Sequence, residues 1–265
     1  MKRVRLAILA ALLGGMTFHA SAAEPLRVLF VGNSYTFYNR LPDIVKQMSI
    51  DAGQARPLEV ADVTFGGASL EQHWQLGDVQ AALAEKDWDY VVIQDHSMMP
   101  VKDPEKTRQY VKLIADAARA DGAQPILYLT WARQNNPAMQ AQLDTVYTSL
   151  AEETHSLLAP VGQAWQRALA ETPKPVLFNP DGSHPSYTGS YLAASVFYSL
   201  IYGTQPPLPA GTAAPVLEQA TPGALQADAW DSIQSLNVAL RTVPDALNVA
   251  TAGIPAAKDA VQASR

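Results

Sequence analysis

Five short, nearly continuous apolar runs recur along the chain, separated by longer stretches with helical spacing. Arg27 to Val31, Leu58 to Phe65, Tyr90 to Ile93, Ile126 to Thr130 and Leu157 to Val161 are rich in Val, Leu, Ile and aromatic residues. Each is bounded by Gly, Pro, Asp or Asn, as strands are. The lack of strict alternation predicts strands covered on both faces, as in a parallel sheet. Between them, Leu41 to Ala52 reads as a helix. Asp103-Pro104-Glu105 opens another, with a capping Asp, Pro at the first helical position and Glu in the first turn. Pro137 to His155 is a third, and Ser186 to Tyr202, almost wholly apolar and stopped by Gly203, is a fourth that should be buried. The alternation predicts an α/β fold, a three-layer sandwich around a mostly parallel sheet of about five strands with right-handed crossovers. In such sheets ligands bind beyond the carboxyl ends of the strands, so the residues just after each strand carry the functional expectation.

From Thr204 onward the composition shifts to Ala, Pro and Gln. Trp230, Ile233, Leu236 and Leu240 keep helical spacing, so part of this tail is expected to pack on the domain, with the last dozen residues loose. The other end has the layout of a secretory signal. Lys2, Arg3 and Arg5 precede an apolar stretch, Leu6 to Phe18, and small residues follow at Ala20, Ser21, Ala22 and Ala23. The expected division is a signal over 1–23, a main α/β domain over 24–203 and an Ala- and Pro-rich, partly helical extension over 204–265. Removing 1–23 takes away three positive charges and no acids, which moves the formal charge from −6 to −9. That balance argues against nucleic acid or anionic membrane surfaces as partners. No segment after the signal approaches a transmembrane length, so no membrane insertion is expected once it is cleaved. With no cysteine, an exported chain has no disulfide to form and must rely on its core. Hydrophobic residues at 48% and charged ones at 17% fit a globular domain.

Two motifs carry chemistry. Val31-Gly32-Asn33-Ser34-Tyr35-Thr36 sets a serine just past the first strand, where the following amides can face an anion. Taken alone, the same residues describe a strand-end turn that caps the next helix. The second is Asn179-Pro180-Asp181-Gly182-Ser183-His184-Pro185. Histidine is the base a serine hydroxyl needs near neutral pH, and a carboxylate on its other nitrogen fixes its tautomer. Taken alone, Asp-x-x-His also describes a capped turn leading into a helix. His73 and His155 read as surface or satisfied core histidines, and no cluster of cysteine or histidine suggests zinc or any other metal. No Gly-x-Ser-x-Gly elbow of the α/β-hydrolase kind exists. A paired-carboxylate glycosidase has nothing specific in its favour.

Together the two motifs resemble the SGNH, or GDSL-like, hydrolase superfamily, whose nucleophilic serine sits in such a turn and whose Asp-x-x-His precedes the final helix. The similarity spans roughly Arg27 to Tyr202. Gly32 to Thr36, Gly66-Gly67-Ala68-Ser69-Leu70 and His184-Pro185 to Tyr198 look like a bacterial SGNH-like branch of unknown substrate. The resemblance implies the flavodoxin-like fold of that group, with Ser34, Asp181 and His184 catalytic. It implies an oxyanion hole from the amides of Ser34 and Gly67. The third block departs from the family pattern. Where Gly-x-Asn-Asp is expected, the chain reads Ile93-Gln94-Asp95-His96-Ser97. His96 falls on the asparagine position and Gln94 has the amide chemistry, and the sequence does not choose between them. Loss of one such donor costs about 2.7–4 kcal/mol of transition-state stabilisation.

Tyr35, Phe37, Tyr38, Trp74, Trp131 and Tyr187 are candidates to line a cleft. Tyr35, Trp131 and Arg133, the last two just after the fourth strand, are the expected substrate contacts. The expected activity is ester hydrolysis through an acyl-enzyme, without cofactor, by an exported protein, periplasmic or secreted. Its substrate is a small-molecule or polysaccharide ester, with an acetyl or short acyl group on carbohydrate foremost. Alternatives are a non-catalytic glycan-binding protein of the same fold, or a lipase, thioesterase or acyltransferase using the same three residues.

Overall fold

A computed structural model describes residues 23–209 and 216–242. The expected signal, apart from Ala23, and the last residues of the tail lie outside the described residues. Five strands form one sheet: β1 (Leu26–Gly32), β2 (Leu58–Thr64), β3 (Tyr90–Ile93), β4 (Gln124–Tyr128) and β5 (Leu157–Ala159). Their order is β2-β1-β3-β4-β5, and every neighbouring pair is parallel. The strand order reverses direction between β1 and β3, which is the switch point where such sheets form their ligand crevice.

Side chains alternate across the sheet. Val28, Phe30, Tyr90, Val92, Ile126 and Tyr128 face one core, and Leu29, Val31, Val91, Ile93 and Leu127 the other. The first core is roofed by α2 (Leu41–Asp51), α8 (Val161–Ala170), α9 (Tyr187–Tyr202) and α10 (Pro222–Thr242). The second is roofed by α3 (Leu70–Leu76), α4 (Asp78–Glu85), α6 (Pro104–Ala120) and α7 (Met139–Glu153). The short helices α1 (Ser34–Phe37) and α5 (Met99–Lys102) lie directly beyond the carboxyl ends of β1 and β3. Of the helices of seven residues or more, α3, α4 and α8 go beyond those the apolar pattern predicts. The strand foreseen through Val161 stops at Ala159, because Val161 already begins α8.

α9 is buried on almost every side because α2, α8 and α10 pack on it as well as the sheet. Two of its glycines have separate reasons. A Cβ on Gly189 would lie 2.4 Å from the Leu177 carbonyl and the Trp165 ring, and Gly203 ends the helix at φ 68°. The tail belongs to the same core. Leu225, Ala229 and Ile233 of α10 are buried there, while Trp230 is turned partly to solvent. Gln226 Nε2 donates to Tyr191 Oη at 2.9 Å.

Asp228 of α10 gives a stability prediction. Burial raises its pKa to about 6, the Glu171 charge adds to this and Arg167 opposes it. The folded chain therefore binds a proton that the unfolded one, with a carboxyl near 3.9, has released. Stability falls as pH rises between about 4 and 6, and the cost is complete above that. Asp228→Asn should raise Tm at pH 8 by roughly 2–4 °C and leave it unchanged at pH 4. Equal effects at both pH values in calorimetry would contradict this account.

Candidate active site

β1 ends in Gly32, where a Cβ would stand 2.6 Å from both Gln94 Oε1 and Thr36 Oγ1. That bare position lets the chain turn tightly against the end of β3. Asn33 then organises the turn. Its backbone N–H donates to Gln94 Oε1 at 3.0 Å and its Oδ1 accepts from the Tyr35 amide at 3.2 Å. Its Nδ2 donates to the carbonyls of Ala68 at 2.8 Å and Asp95 at 3.4 Å. The amides of Thr36 and Phe37 donate to the Asn33 carbonyl. Of the amides from 33 to 37, that of Ser34 alone has no acceptor among the described residues. The turn is thus a helix cap and a serine mount together. Behind it, His73 is fully buried, with Nε2 2.7 Å from the Gly32 carbonyl and Nδ1 3.0 Å from Asp78 Oδ2. It is a satisfied core histidine.

The late motif folds back on the first. Phe178 and Pro185 form an antiparallel bridge, and the Asn179 amide donates to the His184 carbonyl at 2.8 Å. Gly182, at φ 65°, closes the turn within this hairpin. Asp181 Oδ1 accepts from the amides of Ser183 and His184, both at 2.9 Å, and its Oδ2 is hydrogen-bonded to His184 Nδ1. His184 Nε2 lies 2.9 Å from Ser34 Oγ. The structure therefore brings Ser34, His184 and Asp181 into one hydrogen-bonded line. Burial draws the Asp181 carboxyl upward, but hydrogen bonds from the His184 ring and the two amides outweigh it, leaving a pKa of about 2.

Tyr35 and Trp131, expected to touch substrate, are 2% and 1% exposed. They form a support instead. Trp131 is stacked between Tyr35 and Trp165, with ring centroids 4.5 and 4.0 Å away. Its Nε1 donates to the Ser183 carbonyl at 3.0 Å, and Tyr35 Oη lies 2.7 Å from Ser183 Oγ. Both rings hold up the loop that carries Asp181 and His184. The aromatic surface facing the site is Tyr38, stacked on the His184 ring at 4.4 Å. That stack had no signal in the sequence beyond the presence of an aromatic residue near the serine.

Two candidates for the oxyanion hole separate clearly. Gln94 is fully buried. Its Oε1 accepts from the Asn33 amide and from Thr36 Oγ1 at 3.0 Å each, and its Nε2 donates to the Asp95 carbonyl. Gln94, one of the two side chains expected to donate to the oxyanion, instead braces the serine turn. His96 is only partly buried. Its Nδ1 accepts from the Met98 amide at 3.2 Å, which puts the ring proton on Nε2. Burial lowers its pKa, the Asp95 charge opposes this, and the Arg133 and Lys102 cations add to the lowering. His96 is thus a neutral ring with one N–H to give. Asp95 itself accepts from the Leu70 and His96 amides and from Thr107 Oγ1, fixing the β3 exit to α3 and α6.

Gly67 sits at φ 72° in a turn closed by the Ala68 amide on the Phe65 carbonyl. Its own amide has no acceptor among the described residues, and the next residue, Ala68, is tied to Asn33. Arg133 is half-buried at the exit of β4, with Nη2 3.3 Å from Ser97 Oγ. Among the described residues no three His, Asp or Glu side chains gather as metal ligands, and no helix is long and apolar enough to cross a membrane. A serine hydroxyl against a carboxylate-oriented imidazole, with free amides beside it, is an arrangement suited to acyl transfer.

No family model and no curated protein matches the sequence. Solved structures do. A protein from Slackia heliotrinireducens described as an SGNH hydrolase is 31% identical, with a TM-score of 0.59, over 66% of this chain and 98% of its own. An acetyl xylan esterase from Geobacillus stearothermophilus shares the fold at 17% identity and a TM-score of 0.54, over 66% of this chain and 94% of that one. The psychrotrophic esterase EstA from Pseudoalteromonas sp. does so at 15% identity and a TM-score of 0.52, over 67% and 97%.

Proposed function

The chain belongs to the SGNH hydrolase superfamily, and on that premise we propose that it is an exported serine ester hydrolase that removes acetyl or other short acyl groups from carbohydrate. The observation that carries the reading is the 2.9 Å approach of Ser34 Oγ to an imidazole whose other nitrogen is held by Asp181. His184 takes the Ser34 proton as Oγ attacks the ester carbonyl. The developing oxyanion meets the amides of Ser34 and Gly67 and the Nε2–H of His96. His184 then protonates the departing alcohol. Water, activated by the same ring, releases the acid and restores the hydroxyl.

Carbohydrate is supported by a groove of about 540 Å³ that begins at Asn39, next to Tyr38, and runs between α2 and α9. Asn39, Arg40, Gln47 and the 43% exposed Tyr187 line it, a mixture of aromatic face and polar groups suited to sugar rings. An acetyl xylan esterase among proteins of this fold is consistent with that reading. Export is supported by the pattern of residues 1–23.

Hydrolysis of 4-nitrophenyl acetate, together with mass spectrometry after a fluorophosphonate label, tests the proposal. The label is expected on the Ser34 peptide. A label on another serine, or no acetate release, would reject it. His96→Ala should lower kcat about 10²–10³-fold with little change in KM. His96→Asn, which supplies an amide donor, should retain more of the rate. A KM effect without a kcat effect would assign His96 to substrate binding instead.

A further inference from the structure

Arg133 is a cation at the rim of the site that the protein leaves without a counter-charge. Arg27, Arg40, Arg56, Arg108 and Arg119 each have a carboxylate within 4.0 Å; Arg167 also lacks one, but it donates to Ser235 Oγ at 2.7 Å on the exposed surface, away from the site. Arg133 has none among the described residues. Its Nη2 reaches a neutral hydroxyl, Ser97 Oγ, at 3.3 Å, and its Nε is shut away from solvent with no acceptor. The carboxylates of this rim are already committed, Asp181 to His184 and two amides, and Asp95 to two amides and Thr107 Oγ1. A half-buried guanidinium with no carboxylate beside it carries a desolvation cost that an incoming anion offsets. The chain as a whole is acidic, with a formal charge of −6, so this is a local positive spot in a negative molecule.

Its place in the fold says what the acceptor would belong to. Arg133 follows β4, and β4 is separated from β1 by β3 alone. At about 4.8 Å per strand the two chain exits are roughly 10 Å apart. The guanidinium charge acts on Tyr35, the residue after Ser34, and on His96. For a substrate held with its carbonyl at Ser34, this cation is within reach of a group a few bonds further along.

We infer that Arg133 receives a carboxylate of the substrate, so that the ester turned over at Ser34 is an anionic one, bearing a carboxylate a few bonds from the scissile carbonyl. This rests on the esterase reading and narrows its substrate class. A planar guanidinium fork matches a carboxylate in geometry as well as charge. A cation held without a counter-charge also discriminates against analogues that bring no negative charge to it.

Two matched pairs of esters test the inference. The mono-4-nitrophenyl ester of glutaric acid is compared with 4-nitrophenyl butyrate, the enzyme-free rate subtracted, which places the carboxylate on the acyl side. The compound 4-acetoxybenzoate is compared with 4-acetoxybenzamide, which places it on the alcohol side. Wild type should favour the charged member of at least one pair by roughly 10- to 100-fold in kcat/KM, less so as salt is added. Arg133→Gln should bring that ratio near one, and Arg133→Lys should keep part of it. No preference in either pair, or a preference that survives Arg133→Gln, overturns the inference. Calorimetric binding of the same charged and neutral compounds to Ser34→Ala, with and without Arg133→Gln, separates this from the chemistry. If wild type hydrolyses nothing, the esterase reading fails, while charge-selective binding lost with Arg133 still upholds the anion site. Its absence there overturns the site too.

Discussion

Ser34→Ala is expected to lower kcat for acetate release by a factor on the order of 10⁶ without unfolding the protein. Among the described residues the hydroxyl makes one hydrogen bond, with His184 Nε2 at 2.9 Å. The turn that carries it is held by Asn33, Gln94 and Thr36 and not by the serine side chain. Removing Oγ therefore deletes the attacking atom and leaves its mount standing, so Tm should move by no more than the scatter of a surface substitution. His184→Ala should cost about as much, because a hydroxyl without its base is a poor nucleophile. The double variant should be scarcely slower than either single one, since the two act as a unit. The residual rate should track the oxyanion donors, and His96→Ala in the Ser34→Ala background should reduce it again. Steady-state kinetics with a calorimetric check of folding decides the matter. Full acetate release from folded Ser34→Ala would remove the nucleophile from the proposal.

How far this site was legible in the sequence differs from residue to residue, for physical reasons. The strands could be read because burial on both faces demands continuous apolar runs, and Val28 to Val31 is buried throughout. α3 has a signal in its own sequence. Ser69 and Gln72 form a capping box, a local pattern visible in one dimension. α8 was hidden because Val161 extends an apolar strand run while Val161, Ala164, Trp165 and Ala168 already keep helical spacing. Within the site, Ser34, Asp181 and His184 stand in short motifs whose chemistry is local. The choice between Gln94 and His96 was not available, because it depends on which side chain is spent elsewhere. Gln94 is spent on Asn33, 61 positions away. Tyr35 and Trp131 misled for the same reason. An aromatic residue after a strand has the same one-dimensional signature whether it faces a ligand or, as here, stacks beneath the loop that carries Asp181 and His184.

The substitution most informative about that loop is Asp181→Asn, which should lower kcat about 10⁴-fold at neutral pH with little change in KM. The reason lies in which edge of the carboxylate meets which donor. Oδ1 accepts two backbone N–H groups, so the asparagine variant must put its carbonyl oxygen there and its NH₂ group toward His184 Nδ1. Nδ1 is then required to accept, which moves the ring proton to Nε2. Nε2 faces Ser34 Oγ, so a donor now stands where the hydroxyl needs a base. Geometry and stability survive while the tautomer is wrong. Asp181→Ala, by contrast, leaves the Ser183 and His184 amides without their acceptor and should lower Tm. With its pKa held at about 2, wild-type Asp181 stays ionised through the working range. Its contribution to stability is complete above the unfolded carboxyl value, near 3.9, and is lost only as pH falls through about 2. That contribution is small because the side chain is 47% exposed. The large effect therefore belongs in the kinetics. Nitrogen-15 chemical shifts of the His184 ring should report Nδ1–H in wild type and Nε2–H in the asparagine variant. An unchanged tautomer together with a slowed reaction would mean that Asp181 acts through its charge and not through the orientation it imposes.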